Sequence, residues 1–186
     1  MPLDELWEAM VWLGEHCSFL MPEDDAPTVE KLLDLAKVQV YRQGIKGLII
    51  DPWNEMEHTR PAGLSETEYI SKALTQIRRF ARHHGVHVWV IAHPTKLHKA
   101  EKGEYTGQYP PPTPYDVSGS ANWRNKADNC ITIWRNVEAN DNVVEVHVQK
   151  IRFREIGKPG MVKLIFDPTC GRFRQPEFEE ITAWTA

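Results

Sequence analysis

Two short apolar runs in this chain each close on a side chain suited to phosphate chemistry: GLIID ends on Asp51 and VHVWVIAH ends on His93. A carboxylate at the end of a buried strand can hold magnesium, directly or through water, against the phosphates of a bound nucleotide. An imidazole one strand over can donate a hydrogen bond to a terminal phosphate and pass that contact on to the loop that follows. A third group is VQKIRF, which sets Lys150 and Arg152 two residues apart. On a strand both project to one face and can meet a single anion, neutralising charge on a transferring phosphoryl group. Each feature has a plainer alternative. Asp51 before Pro52 can simply begin a turn, a strand-end histidine can make a structural hydrogen bond, and a Lys/Arg pair can belong to a surface ion-pair ladder.

The elements that must position these residues are legible in the pattern around them. Between the two apolar runs, Ser65 and Glu68 form a capping box, Leu64 and Tyr69 suit a hydrophobic staple, and Gly85 stops the helix after a basic last turn. Tyr69, Ile70, Ala73, Leu74, Ile77, Phe80 and Ala81 fall on one stripe, as on a helix packed against a sheet. A helix from about Thr28 to Arg42 ends at Gly44 and feeds the strand Lys46–Ile50. With a helix at about 3–15, a short strand Ser18–Met21 and a strand Val86–Ala92, the alternation implies a right-handed parallel sheet covered by helices. Asp51 and His93 then share one edge, where open α/β sheets bind ligands.

After His93 the pattern breaks. Residues 94–119 hold three glycines and a Pro-rich run from Pro110 to Pro114, too long and polar for an ordinary connection and of a length associated with function or disorder. A turn and short helix in SGSANWRNKAD precede strands Cys130–Arg135, Val143–Phe153 and Met161–Phe166, joined by turns at Glu138–Asn142 and Gly157–Gly160. Residues 1–175 read as one unit and 176–186 as a C-terminal tail.

Composition sets outer bounds. A chain of 186 residues with 41% hydrophobic and 26% charged residues suits one globular domain. Cys17, Cys130 and Cys170 stand far apart, against a disulfide framework or zinc ribbon, and are expected to be reduced and partly buried. HExxH and GxSxG are absent from the sequence. No run reaches membrane-spanning length. The net charge of −4 is uneven: residues 1–60 carry 12 acidic and 5 basic side chains, residues 61–186 carry 14 and 17. Polyanion binding by the second part is possible on that balance, and a solvated face is the bland reading.

Four motifs in order, LIIDPWNEMEH, VWVIAHPTK, SGSANWRNKADN and VQKIRF with LIFDPTCGRF, resemble the hexameric replicative DNA helicases with a RecA-type core: DnaB, the phage primase-helicases and Twinkle. The similarity runs from about residue 28 to 175. It implies an α/β, RecA-like three-layer domain, mainly parallel and flanked by helices, with an antiparallel β-rich C-terminal end and truncated at its N-terminal side. By position, Asp51 matches the Walker B aspartate that serves magnesium, directly or through water, and His93 the polar sensor between nucleotide and DNA loops. Lys150 and Arg152 match the cations that reach a neighbouring subunit's ATP, Arg135 a second trans-acting arginine, and Phe166 a position near the adenine. DNA loops are implied at 54–63 and 96–124, where Lys96, Lys99, Lys102, Arg124 and Lys126 would meet phosphates of single-stranded DNA.

The family's phosphate loop, GxxxxGK(S/T), is not in these residues and would precede Met1. The resemblance therefore implies the C-terminal portion of an ATP-dependent helicase that forms a homo-oligomeric ring, its isolated chain being inefficient in hydrolysis. Alternatives are a non-catalytic nucleic-acid-binding or oligomerisation module, and a RecA-fold ATPase of recombination or regulation. A cytoplasmic location, or an organelle matrix, and no membrane partner complete the expectations.

Overall fold

The computed structural model describes residues 2–21, 27–58, 60, 62–103, 105–117, 121–136, 138–139 and 141–177. Its core forms where two amphipathic helices meet a short parallel strand pair. Helix α2 (Val29–Gln43) buries Val29, Leu32 and Ala36, and α3 (Glu66–His84) buries Ile70, Ala73, Leu74, Ile77 and Phe80. Both lie against strand β1 (Gly47–Ile50), whose Leu48 and Ile50 point inward, and against Val88 and Val90 of β2 (His87–Val90). Strand alternation sends Ile49 and Trp89 to the opposite face, where they are 65% and 49% exposed.

The helix ends follow the chemistry of their sequence. Glu68 N–H donates to Ser65 Oγ (3.3 Å) while Ser65 N–H and Oγ–H donate to Glu68 Oε2 (3.0 and 2.7 Å). Gly85, at φ 63°, gives α3 the left-handed terminus that a side chain would resist. Ser65→Ala is expected to lower stability by about 1 kcal/mol, read in urea denaturation, because it strips the cap from a helix that supplies five of the fourteen core residues. Hydrogen bonds from Ser65 hold the Glu68 carboxyl below the usual carboxylate range. Its folded pKa is thus below its unfolded one, so this stabilisation is present at neutral pH and is lost as pH falls through the depressed value.

Strands β1 and β2 pair in parallel, Gly47 with His87 through Ile50 with Val90. The rest of the β structure is a separate antiparallel sheet in the order β3-β4-β5-β6: β3 (Asn129–Trp134), β4 (Val143–Ile151), β5 (Gly160–Asp167) and β6 (Arg172–Arg174). A five-residue helix, α4 (Asn122–Lys126), packs on α3 and leads into β3. It is pinned by Lys126 Nζ donating to Thr75 Oγ1 (2.8 Å) and by the Arg78–Asp128 ion pair (3.2 Å).

Several expectations need correction. Residues Ser18–Met21 form no strand: Phe19 and Met21 are 90% and 87% exposed, and no neighbouring strand among the described residues offers them a ladder. An apolar run becomes a strand only where a partner satisfies its backbone. The mainly parallel sheet is accordingly one parallel pair beside four antiparallel strands, and helices cover only one face of that pair. Helix α1 (Leu3–His16) forms as expected but buries none of its residues. Of the cysteines only Cys130 is partly buried; Cys17 and Cys170 are exposed. Strand β6 was not anticipated. It is turned back on β5 by Asp167, whose Oδ1 accepts from Thr169 N–H (2.9 Å) and Oγ1–H (2.6 Å), and by Gly171 at φ 69°. Of the expected tail, residues 178–186 lie outside the described residues.

Candidate nucleotide and nucleic-acid site

Parallel pairing carries Asp51 and His93 to the same end of β1 and β2. The ladder continues one step beyond the strands: Ile91 N–H donates to the Ile50 carbonyl (2.9 Å) and Trp53 N–H to the Ile91 carbonyl (2.7 Å). Asn54 then ties the two ends together, its Oδ1 accepting from the His93 backbone N–H (3.0 Å). Both candidate side chains are solvent-exposed, and the Asp51–Pro52 bond is cis. Beneath this edge Trp53 is buried, stacked on His58 (4.7 Å) and edge-on to Trp123 (5.1 Å). His58 Nε2 lies 3.0 Å from the Trp53 carbonyl oxygen, which can only accept, so Nε2–H donates there; Nδ1 stands 3.2 Å from the Tyr69 hydroxyl, which also lies 3.4 Å from the Glu57 carbonyl oxygen. Burial, then the charges of Glu30 and Glu57, raise the Tyr69 hydroxyl above the ordinary tyrosine range. A ring cluster therefore fixes the turn that presents Asp51.

The donor set suits magnesium held jointly with a nucleotide. That ion keeps several waters and takes one or two carboxylates together with substrate phosphates. Asp51 is one open carboxylate with Asn54 and His93 at the same edge. Among the described residues no three His, Cys, Asp or Glu side chains stand close enough to hold a metal by themselves.

Lys150 and Arg152 do converge on one anionic feature, and it lies in their own chain. Lys150 Nζ donates to the carbonyls of Arg124 and Ala127 (the latter 2.7 Å), and Arg152 Nη2 to those of Asn125 (2.9 Å) and Ala127 (3.2 Å). Asp128 pairs with Arg152 and with Arg78. Two cations thus cap the carbonyl end of α4, where the last turn leaves acceptors without intrahelical donors. Burial first, then the charge of Arg152, lower the Lys150 ammonium below the ordinary lysine range. Arg135 donates within its own hairpin, to the Asp141 carbonyl (2.8 Å) and Asn142 Oδ1 (3.2 Å). Phe166 lies on β5 against Phe173 of β6 (5.3 Å).

The segment after His93 is an ordered excursion whose ends close on each other. Pro94 bridges Val117, and Thr95 donates twice to the Asp116 carbonyl (2.7 Å from N and from Oγ1). The antiparallel sheet holds its middle: Thr132 Oγ1 (3.0 Å) and Gln149 Nε2 (2.8 Å) donate to the Pro112 carbonyl, and Trp134 Nε1 to that of Tyr109 (3.2 Å). Of the five candidate cations, Lys99 pairs with Glu138 (2.6 Å) and Lys126 is bound to Thr75. Lys96, Lys102 and Arg124 make no ion pair among the described residues. Ser118, Gly119 and Ser120 of the third motif, and Thr59 and Pro61 of the first expected DNA loop, lie outside those residues.

The sequence reading missed Asn54, Asp128 and the Trp53–His58–Tyr69 cluster. Asn54 and His58 sit within LIIDPWNEMEH, where polar residues among buried aromatics were the available signal. Between β2 and β3 lies a cleft of about 980 Å³ with apolar walls that include Val88, Val90, Ile131 and Ile133. The edges of β2 and β3 away from their partners are both unpaired among the described residues.

Comparisons place this arrangement among known proteins. No family model matches the chain. A chloroplastic and mitochondrial Twinkle homolog of Arabidopsis thaliana is 39% identical over 177 residues, covering 93% of this chain and 24% of the relative. The solved structure of a DnaB-like replicative helicase, determined with regard to its interactions with primase, superposes with TM-score 0.68 at 19% identity, over 95% of this chain and 43% of that one. The chain thus spans about a quarter of the curated relative's length and less than half of the solved chain, with a fold shared over nearly all of its own residues.

Proposed function

The chain belongs to the DnaB/Twinkle family of replicative helicases, matching about a quarter of its Twinkle relative, and we propose that it is the C-terminal part of a RecA-like ATPase that moves along single-stranded DNA as a homo-oligomeric ring. The observation that carries this reading is the parallel pairing of β1 and β2, which delivers Asp51 and His93 to one edge with Asn54 between them. At that edge Asp51 would hold magnesium against the β- and γ-phosphates, directly or through water. The ion, when bound, offsets charge on the transferring phosphoryl group. His93 would donate to the terminal phosphate, and because Pro94 and Thr95 close the base of the loop on Val117 and Asp116, its position is tied to the DNA-facing segment.

Lys150 and Arg152 would complete the site of the next subunit by exchanging α4 carbonyls for phosphate oxygens, with Arg135 as a second cation and Phe166 near the adenine. The unpaired edges of β2 and β3 across an apolar cleft support a core that lacks a strand, as the truncated reading expects. A strand between them would satisfy both edges. No helix among the described residues is long and apolar enough to cross a membrane. The relative's chloroplastic and mitochondrial name favours the organelle matrix over the cytoplasm.

Binding of a labelled single-stranded oligonucleotide across a salt series tests the part of the reading that needs no phosphate loop. Changing Lys96 and Lys102 together to alanine is expected to reduce the salt slope by about 1.4, the share of two phosphate contacts on a single strand. Lys99→Ala should change it less, since Glu138 already neutralises that ammonium. An unaltered slope in the double variant would exclude the two lysines as phosphate contacts.

A further inference from the structure

We propose that the Tyr115 ring, with the Arg124 guanidinium over it, is a stacking seat for one base of single-stranded DNA. The proposal rests on the reading that the loop at 96–124 faces DNA, and it adds a contact to the bases to one so far made only of phosphates. Arg124 Cζ lies 5.7 Å from the ring centroid, and Tyr115 is 57% exposed despite being a large aromatic in a well-tied segment. The ring is not held out by disorder. Thr113 N–H and Oγ1–H donate to Asp116 Oδ2 (2.7 and 2.8 Å), Asp116 N–H to the Thr113 carbonyl (2.9 Å), and Tyr115 N–H to Thr113 Oγ1 (3.3 Å). Pro114 restricts the residue before it, and the Pro112 carbonyl is fastened to β3 and β4.

The other half of the seat is equally fixed. Arg124 sits on α4, whose carbonyl end, including the Arg124 carbonyl itself, is capped by Lys150. Its guanidinium pairs with no carboxylate among the described residues, so its charge is available for a phosphate beside the ring. A base stacked on the open part of Tyr115 would bring its own phosphate towards that guanidinium, joining sequence-tolerant stacking to a charge contact. Tyr109, 45% exposed with Lys99 Nζ 5.4 Å from its centroid, repeats the pattern at the other end of the proline run. Its cation is already paired with Glu138, which makes it the weaker of the two.

Stacking and phosphate contact leave different signatures, so the test separates them. The probes are labelled oligo(dT) and an oligonucleotide of the same length made of abasic sites, titrated with the chain by fluorescence anisotropy. Tyr115→Ala is expected to weaken oligo(dT) binding about tenfold with the salt slope unchanged, and to leave abasic binding as it was. Tyr115→Trp should restore or exceed the original affinity, whereas Tyr115→Leu, apolar but without a π face, should not. Arg124→Gln should weaken both probes and reduce the slope by about 0.7. If the unaltered chain binds neither probe, the DNA-facing reading of the loop fails. If it binds oligo(dT) and Tyr115→Ala binds it equally well, that reading stands and the stacking seat is refuted. A Tyr115→Ala chain that loses abasic binding to the same extent would likewise refute it, by pointing to a disturbed loop.

Discussion

Arg152→Ala is expected to lower ATP turnover about a thousandfold, with nucleotide affinity little changed, in a protein extended upstream by a segment that carries GxxxxGK(S/T). The size follows from the proposed role: a cation supplied across a subunit boundary to the transferring phosphoryl group contributes about 10³–10⁵ in rate. The geometry adds a condition. Within one chain Arg152 holds the Asn125 and Ala127 carbonyls and pairs with Asp128, so its removal also loosens the end of α4. Hydrogen exchange separates the two effects. Lys150 still covers the Arg124 and Ala127 carbonyls in the variant, so α4 amides should keep most of their protection while turnover collapses. Loss of protection throughout α4 and β3, with turnover falling only in step with the folded fraction, would make Arg152 a structural residue.

Asp51→Ala is expected to cost about 10–100-fold in magnesium-dependent turnover in the same extended protein, the range seen when a carboxylate acting through a metal-bound water is removed. Fold should survive the change, because Asp51 is exposed and the adjoining turn is fixed by Trp53, His58 and Tyr69 rather than by the carboxylate. The deficit should shrink as magnesium is raised, as expected of a weakened ion site and not of a lost base. Unchanged turnover in Asp51→Ala would remove Asp51 from the site.

The parts of this architecture that could be read in the sequence are those determined locally. Ser65 with Glu68, and the glycines at 44 and 85, mark helix ends because capping depends on a few adjacent residues. The strands ending near Asp51 and His93 were legible because a single helix between two apolar runs leaves parallel pairing as the simple solution. Ser18–Met21 was misread because strand formation depends on a neighbour that a local pattern cannot reveal. The same reason hid the split into a parallel pair and a separate antiparallel sheet. At the candidate site, the spacing of Lys150 and Arg152 told that they share a face, but not what that face meets. Their partners are main-chain carbonyls at the end of α4, more than twenty residues away and carrying no sequence signature. Tyr115, and its approach to Arg124, escaped notice for a related reason, since that approach depends on the loop folding back on the sheet.

On the proposed reading, Asp51 of one subunit and Arg152 of the next meet around the same nucleotide. Mixing two impaired forms of the extended protein, Asp51→Ala and Arg152→Ala, at limiting magnesium puts this to the test. In a randomly mixed ring of equal parts, about a quarter of the interfaces pair an intact Asp51 with an intact Arg152. ATP turnover in the mixture is expected to rise well above that of either parent. A mixture that assembles into rings and turns over no faster than the average of its parents would overturn the shared site.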